Sequence, residues 1–247
     1  MAVISMIVVI IVLGLLYRWM IKREIPEPIG KKQALVPVGL GIISLPLSFV
    51  LLLGLATCIR TLGYSPSDHS LPVQSVVRAF FMAGLPEELA KFLMILLTLI
   101  IFRSAVKNVY EYVLIGSAVG FGFSIFEDFL YGTSMFNLIT RLILVALHMI
   151  LSGTMALHLG KARYNKRTGE GAVVINYILA FLIPIMMHTI YDACTVTNKY
   201  LQQDSENLQT VGMIIGVAML LVMFIVQILY FIRIKKKAEE LSAFVMQ

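Results

Sequence analysis

The chain has 247 residues, of which 59% are apolar and only 14% are charged, and its mean hydropathy is +0.90. These values lie outside the range of soluble domains, so the composition excludes a soluble globular protein and predicts a polytopic protein of the lipid bilayer. The net charge of +6 does not indicate a nucleic-acid partner, because the basic residues follow the loop pattern of a membrane protein.

Seven apolar stretches of roughly 20 residues are long enough to cross a hydrocarbon core of about 30 Å. They lie near residues 2–20, 36–59, 81–102, 112–131, 138–160, 173–196 and 209–232. The sequence therefore predicts an all-α bundle of about seven transmembrane helices, in one integral membrane domain of residues 1–247. The segment 73–83 is apolar apart from Gln74 and Arg78, and it fits either an interfacial helix or an extension of the third span.

Lysine and arginine are distributed unequally between the two sides of this bundle. Fifteen of the 20 lie after the first, third, fifth and seventh stretches, four lie on the other side, and Lys91 lies within a stretch. Because such an excess marks cytoplasmic loops, the pattern predicts an outer N-terminus and an inner C-terminus. The first stretch lacks a basic segment ahead of it, so we interpret it as a retained span and not as a cleaved signal.

Four of the predicted spans carry ionisable side chains, which are costly in a bilayer and persist when they are paired, hydrated or functional. These side chains are Glu87, Glu88 and Lys91, then Glu127 and Asp128, then His148, and finally His188 and Asp192. At about 1.5 Å of rise per residue, they fall in the outer half of the membrane, with His148 somewhat deeper, near the middle of its span. We therefore predict one polar cavity that opens outward, with Asp128 facing water.

The spacing of these residues indicates hydrolytic chemistry. Glu87 and Glu88 lie four and three residues before Lys91, so one lysine can neutralise either carboxylate. His188 and Asp192 are also four apart, which allows the acid to orient the ring or to contact a water, metal or substrate carbonyl. Adjacent carboxylates repel, so we expect one to hold a proton while its ionised neighbour acts as a base. Our hypothesis is that Glu88, assisted by Glu87, activates the attacking water, although the two roles can be reversed.

The same residue types are ordinary ligands of a divalent metal such as zinc, with a bound water as the nucleophile. The candidate ligands are Glu88, Glu127, His148 and His188. The sequence leaves glutamate-only and metal-assisted hydrolysis open.

Structural interpretations of several residues stand beside the functional ones. The Glu87, Glu88 and Lys91 set also fits an ion-pair cluster, and His148 also fits a hydrogen-bonded core histidine. Phe123 is interpreted as a packing residue, and Arg141 as either a carboxylate partner or an anchor at the membrane surface. Small residues on the fourth span, Gly116, Gly120 and Gly122, predict close helix contact. Cys58 and Cys194 are interpreted as small packing residues and not as a disulfide.

Four motifs in order resemble the series of the PrsW intramembrane proteases. They are EExxK at Glu87 to Lys91, FxxxE at Phe123 to Glu127, the helix 141–160 with His148, and HxxxD at His188 to Asp192. The resemblance implies a protease of the bacterial plasma membrane that cuts the extracytoplasmic part of a membrane-anchored anti-sigma factor, in regulated intramembrane proteolysis during a stress response. It implies a catalytic core at about residues 78–195, with Glu87, Glu88, Lys91, Glu127, His148, His188 and Asp192 in the site.

The series is more distantly similar to that of the CAAX-processing and bacteriocin-immunity membrane proteases, whose patterns are EExxxR, FxxxH and HxxxN. This chain has Lys91 at a shorter spacing, Glu127 in place of histidine and Asp192 in place of asparagine, which favours PrsW. Two other function classes stay open: a proton-coupled transporter or relay, and a non-catalytic membrane-embedded binding subunit. A transporter is expected to show repeat symmetry between its halves, which the sequence lacks.

Overall fold

The computed structural model describes residues 2–63, 68–131, 140 and 143–245, and its long elements are all helices. These helices are α1 (Ala2–Ile21), α2 (Lys31–Thr61), α3 (Leu71–Ala79), α4 (Leu85–Ile101), α5 (Val109–Tyr131), α6 (Leu147–Thr168), α7 (Val173–Cys194) and α8 (Glu206–Ala243). A π-helical turn (Phe80–Gly84) joins α3 to α4, and a 3₁₀ turn (Lys199–Gln202) precedes α8. The predicted all-α class is confirmed.

Four described helical segments are long and apolar enough to cross a membrane, and a shorter apolar one lies in α1. The four are Lys31–Thr61, Val109–Leu130, Val173–Gln202 and Glu206–Ala243, and the shorter one is Met6–Ile21. The remaining predicted spans fall on α4 and α6, where a membrane crossing stays a prediction. The first part of the predicted fifth span, including Arg141, lies outside the described residues.

The segment 73–83 extends the third predicted span, because α3 continues through the π turn directly into α4. Pro86 explains the turn: it has no N–H to donate, and its ring crowds the carbonyl four residues earlier, so the regular α-helical ladder cannot pass through it. The N–H of Leu85 instead reaches back five residues to the carbonyl of Phe80. Such turns are frequent at functional sites, and this one directly precedes Glu87 and Glu88.

The helix α5 lies in the interior, packed against α1, α2 and α6. Its small residues allow this packing: a Cβ at Gly120 would lie 2.5 Å from the carbonyl carbon of His148 and 2.7 Å from Cα of Met149. Cβ atoms at Gly116 and Gly122 would likewise overlap the backbones of α6 and α2. The predicted close-contact face is confirmed, and it fixes α6 against α5 at the level of His148.

The depth of His148 in the membrane stays a prediction, but its place on the helix differs from the expected one. Residues 144–146 form a turn and α6 begins at Leu147, so His148 lies in the first turn of α6. The prediction assumed an unbroken helical rise from residue 138 onward. The turn brings His148 to the level of the polar residues on α4, α5 and α7.

Candidate active site in the membrane

The predicted polar residues of four helices meet around one cavity of about 420 Å³. Its polar wall is formed by Glu87 of α4, Glu127 and Asp128 of α5, His148 of α6, and His188 and Asp192 of α7. An apolar wall of the cavity includes Phe49 and Leu52 of α2 and Met82 and Ala83 of the π turn. A cavity with a few convergent polar groups and an apolar wall is the usual form of a ligand site.

Asp128 is buried, with an exposed fraction of 4%, and it lines this cavity. Asp128 therefore lies inside the protein against the cavity, and its contact with water stays a prediction. Glu127 and Asp128 both line the cavity near the end of α5.

Glu88 and Lys91 are fully buried, and neither lines the cavity. Lys91 Nζ donates a hydrogen bond to Glu88 Oε1 at 2.6 Å, and His188 Nδ1 lies 2.7 Å from the same oxygen. Because an ionised carboxylate only accepts, His188 Nδ1 is the donor in this contact. The other ring nitrogen, Nε2, faces Glu87 Oε2 at 3.8 Å and Asp192 Oδ2 at 3.6 Å.

His148 lies between Lys91 and Glu127. Its Nδ1 is 3.1 Å from Lys91 Nζ, and its Nε2 is 2.7 Å from Glu127 Oε2. Because an ammonium group only donates, Nδ1 accepts, and Nε2 carries the proton that it donates to Glu127. Lys91 thus connects the two histidines. It contacts His148 directly, and it bonds to Glu88, which in turn accepts a hydrogen bond from His188.

Phe123 supports these two groups as well as packing in the core. Its ring centroid lies 4.8 Å from that of His148 and 4.2 Å from Lys91 Nζ. An ammonium over an aromatic face is attracted by the ring quadrupole, and the attraction is larger when both groups are out of water. The sequence indicated only packing for Phe123, although its motif position one turn before Glu127 was the available signal.

Glu87, His148 and His188 form a set of potential metal ligands. Each offers one donor atom, and the three atoms lie within 4.8 Å of one another. Glu87 Oε2 is buried without a hydrogen-bond partner among the described residues. A carboxylate and two imidazoles match the ligand chemistry of catalytic zinc. The residues present fit a divalent metal if His148 Nε2 gives up the proton that it donates to Glu127, because His148 Nδ1 already accepts from Lys91 and a metal-bound imidazole nitrogen carries no proton. Of the four ligands predicted from sequence, His148 and His188 belong to this set, whereas Glu88 and Glu127 do not.

Sequence reasoning missed the uncharged polar residues of the cavity, which are Ser48, Ser124, Thr140, Tyr191 and Thr197. Ser124 lines it, and the Ser124 hydroxyl is buried without a hydrogen-bond partner among the described residues. The signal was its spacing, because Ser124 lies three and four residues before Glu127 and Asp128 and so shares their helix face.

The acids and imidazoles of four helices converge on one cavity, which is an arrangement that suits a membrane-embedded hydrolase. The sequence matches the PrsW family of intramembrane metalloproteases over residues 31–229, from the start of α2 into α8. The chain therefore belongs to this family, and it is a membrane-embedded peptidase and a multi-pass protein of the cell membrane. Comparisons with curated proteins and with solved structures gave no match.

Proposed function

We propose that this PrsW family protease cuts an anti-sigma factor, a single-pass membrane protein, in its extracytoplasmic part. The single observation that carries the proposal is the set of Glu87, His148 and His188 donor atoms in one cavity. The substrate class follows from the motif resemblance and from the predicted outer position of the site. The apolar wall of the cavity, formed by α2 and the π turn, suits the side chains of a peptide that enters from the membrane. We further propose that the catalytic core is formed by about residues 78–195 of a single membrane domain.

In this proposal Glu87, His148 and His188 hold a divalent metal. When bound, such a metal makes a water molecule a stronger nucleophile and polarises the scissile carbonyl. Glu127 accepts the proton of the attacking water and returns it to the leaving amine, as general base and then general acid. This role suits Glu127 because its carboxylate lines the cavity but lies outside the set of three donors.

Glu88 takes a positioning role in this proposal, which replaces the sequence-based hypothesis that Glu88 activates the water with the help of Glu87; the base is now Glu127. Its carboxylate is fully buried, is bonded to Lys91 and His188, and does not reach the cavity where the water must lie. A carboxylate that accepts from the second nitrogen of an imidazole fixes the direction of the ring. Glu88 therefore orients His188, and Lys91 neutralises Glu88. Asp192, which lies beside His188 Nε2, provides a further polar contact to the substrate.

The test compares zinc affinity and peptide cleavage in the purified protein, reconstituted with a single-pass membrane substrate. Glu87→Gln should weaken zinc binding by at least roughly 10-fold to 100-fold, because it removes a ligand charge. Glu127→Gln should bind zinc as the wild type does, while its kcat falls by about 10² to 10⁴. Wild-type cleavage by Glu127→Gln, or wild-type zinc affinity in Glu87→Gln, would contradict the assigned roles.

A glutamate-only mechanism gives a different pattern in the same experiment. The wild type would then cut at full rate in a chelator, and Glu87→Gln would lose cleavage without any change in zinc binding. That outcome would retain the protease and its site, and it would overturn the metal assignment.

A further inference from the structure

The regular helix is interrupted just before His148, and we call the segment 143–146 the break. Ala146 has φ −97° and ψ 6°, outside the helical region, and it precedes the first residue of α6. The N–H of Leu147 donates to the carbonyl of Leu144 at 3.0 Å. In a regular α-helix this N–H would bond to Ile143, so the Ile143 carbonyl has lost its helical donor.

Gln227 of α8 bonds to the backbone at both ends of this break. The N–H of Ala146 donates to Gln227 Oε1 at 3.0 Å, and Gln227 Nε2 donates to the carbonyl of Ile143 at 2.9 Å. Gln227 is 6% exposed, whereas Ile225 and Ile228 on the same helix are about half exposed on its outer face. One amide side chain thus supplies both a donor and an acceptor to the broken segment.

This pairing of Gln227 with the backbone removes two arrangements that would be unfavourable inside a membrane. A backbone carbonyl without a donor is strongly unfavourable where no water can replace the bond, and so is an amide side chain among lipid tails. Here the Gln227 amide and the backbone of the break satisfy each other's hydrogen bonds. Non-helical backbone at this depth is tolerated where protein groups satisfy it, and Gln227 is such a group.

We propose that Gln227 is a positioning residue that holds the break and thereby sets the depth and direction of the His148 imidazole. His148 follows Ala146 by two residues, and its ring contacts both Glu127 and Lys91. If the segment 143–146 continued as a regular helix, His148 would turn about the helix axis and leave these partners. The consequence for catalysis depends on the proposed function of His148, whereas the consequence for its position does not.

The experiment uses Gln227→Met, which keeps the length of the side chain and removes both hydrogen bonds. The matched control is Met223→Ala, one turn earlier on the same face, which removes buried packing against Leu144, Leu147 and Leu151 and leaves Gln227 intact. Three kinds of measurement are made on each purified variant. They are hydrogen exchange at the Ala146 amide, the ¹⁵N signals of the His148 ring, and the kcat and KM of peptide cleavage.

Gln227→Met should raise exchange at Ala146 by about tenfold, shift the His148 ring signals, and lower kcat by about 10-fold to 100-fold with KM changed less than about threefold. Met223→Ala should lower thermal stability and leave all three measurements near wild type. Gln227→Asn, whose amide is one methylene shorter and cannot span both groups, should reproduce these changes and serves as the second variant if Gln227→Met fails to fold.

Unchanged protection of Ala146 in both Gln227 variants would overturn the proposal. So would lost protection with unchanged His148 signals, or equal changes in Met223→Ala, because the effect would then come from packing. If the wild type neither binds zinc nor cuts any substrate, the proposed function fails instead. The exchange rates and the His148 signals then still decide whether Gln227 positions His148.

Discussion

Replacing Gly120 with alanine should displace His148 by moving α6 away from α5. The added Cβ would lie 2.5 Å from the carbonyl carbon of His148 and 2.7 Å from Cα of Met149, whereas ordinary contact is 3.4–4 Å. Both neighbours are backbone atoms, which cannot rotate away as the end of a side chain can. The two helices must therefore separate by roughly 1 Å at this level, since a packed interior has no space to absorb the extra atom.

The expected size of the effect follows from this separation. Overpacking of this kind costs about 1–3 kcal/mol, and the better helix propensity of alanine offsets about 0.5–1 kcal/mol of that cost. The net cost is thus about 0–2.5 kcal/mol, and Tm should fall by no more than about 10 °C, because the chain is long. Displacing a catalytic group by about 1 Å costs on the order of 10² in rate, so kcat should fall far more than stability does.

The assay combines thermal unfolding of the purified protein with cleavage of a reconstituted single-pass membrane substrate. The control is Gly54→Ala on α2, where an added Cβ meets nothing within 4 Å among the described residues. This control should keep wild-type kcat and an equal or slightly higher Tm. If Gly120→Ala cuts at the wild-type rate, or loses no more activity than Gly54→Ala, close helix contact does not position His148 and the reasoning is refuted.

Two further perturbations test the buried charges. Lys91→Met leaves Glu88 buried without its cation and should lower the free energy of unfolding by about 3–5 kcal/mol, measured by thermal unfolding. Adding Glu88→Gln to this variant should restore most of the stability but none of the peptide cleavage. Glu24, in the loop between α1 and α2, is buried, and this burial together with the charge of Glu111 raises its pKa from 4.5 to about 7. The folded chain therefore binds this proton more tightly than the unfolded chain, so stability should fall as pH rises between these two pKa values. Glu24→Gln should remove this part of the dependence of Tm on pH between about 4.5 and 7, and an unchanged slope would contradict the assignment.

The fold class was predictable because a bilayer leaves the backbone few alternatives. An apolar segment that crosses lipid must satisfy its own hydrogen bonds, so hydropathy alone locates helices such as α2 and α8. The shared cavity was predictable for a similar reason. Acids and imidazoles on separate spans avoid lipid only by facing one another, which is the arrangement of Glu127, His148 and His188 in the structure.

The division of roles within the site was not predictable from spacing. Glu87 and Glu88 are adjacent, and which of them faces the cavity depends on the rotation of α4, which the π turn before Pro86 helps to set. The position of His148 depends on the interruption of the helix at residues 143–146, and this segment contains no proline or glycine that would predict an interruption. Gln227 is a polar residue in an apolar stretch, but its amide is uncharged, and the site was predicted from ionisable side chains.

The proposed metal site of Glu87, His148 and His188 is tested most directly by one cleavage measurement. Wild-type protein and the His188→Ala variant are reconstituted at equal amounts with a single-pass membrane substrate, and cleavage is followed in a chelator and again after zinc is added. The wild type should lose cleavage in the chelator and recover it with zinc, while His188→Ala should be inactive in both. Full wild-type cleavage in the chelator, together with wild-type rates for His188→Ala, would contradict the account.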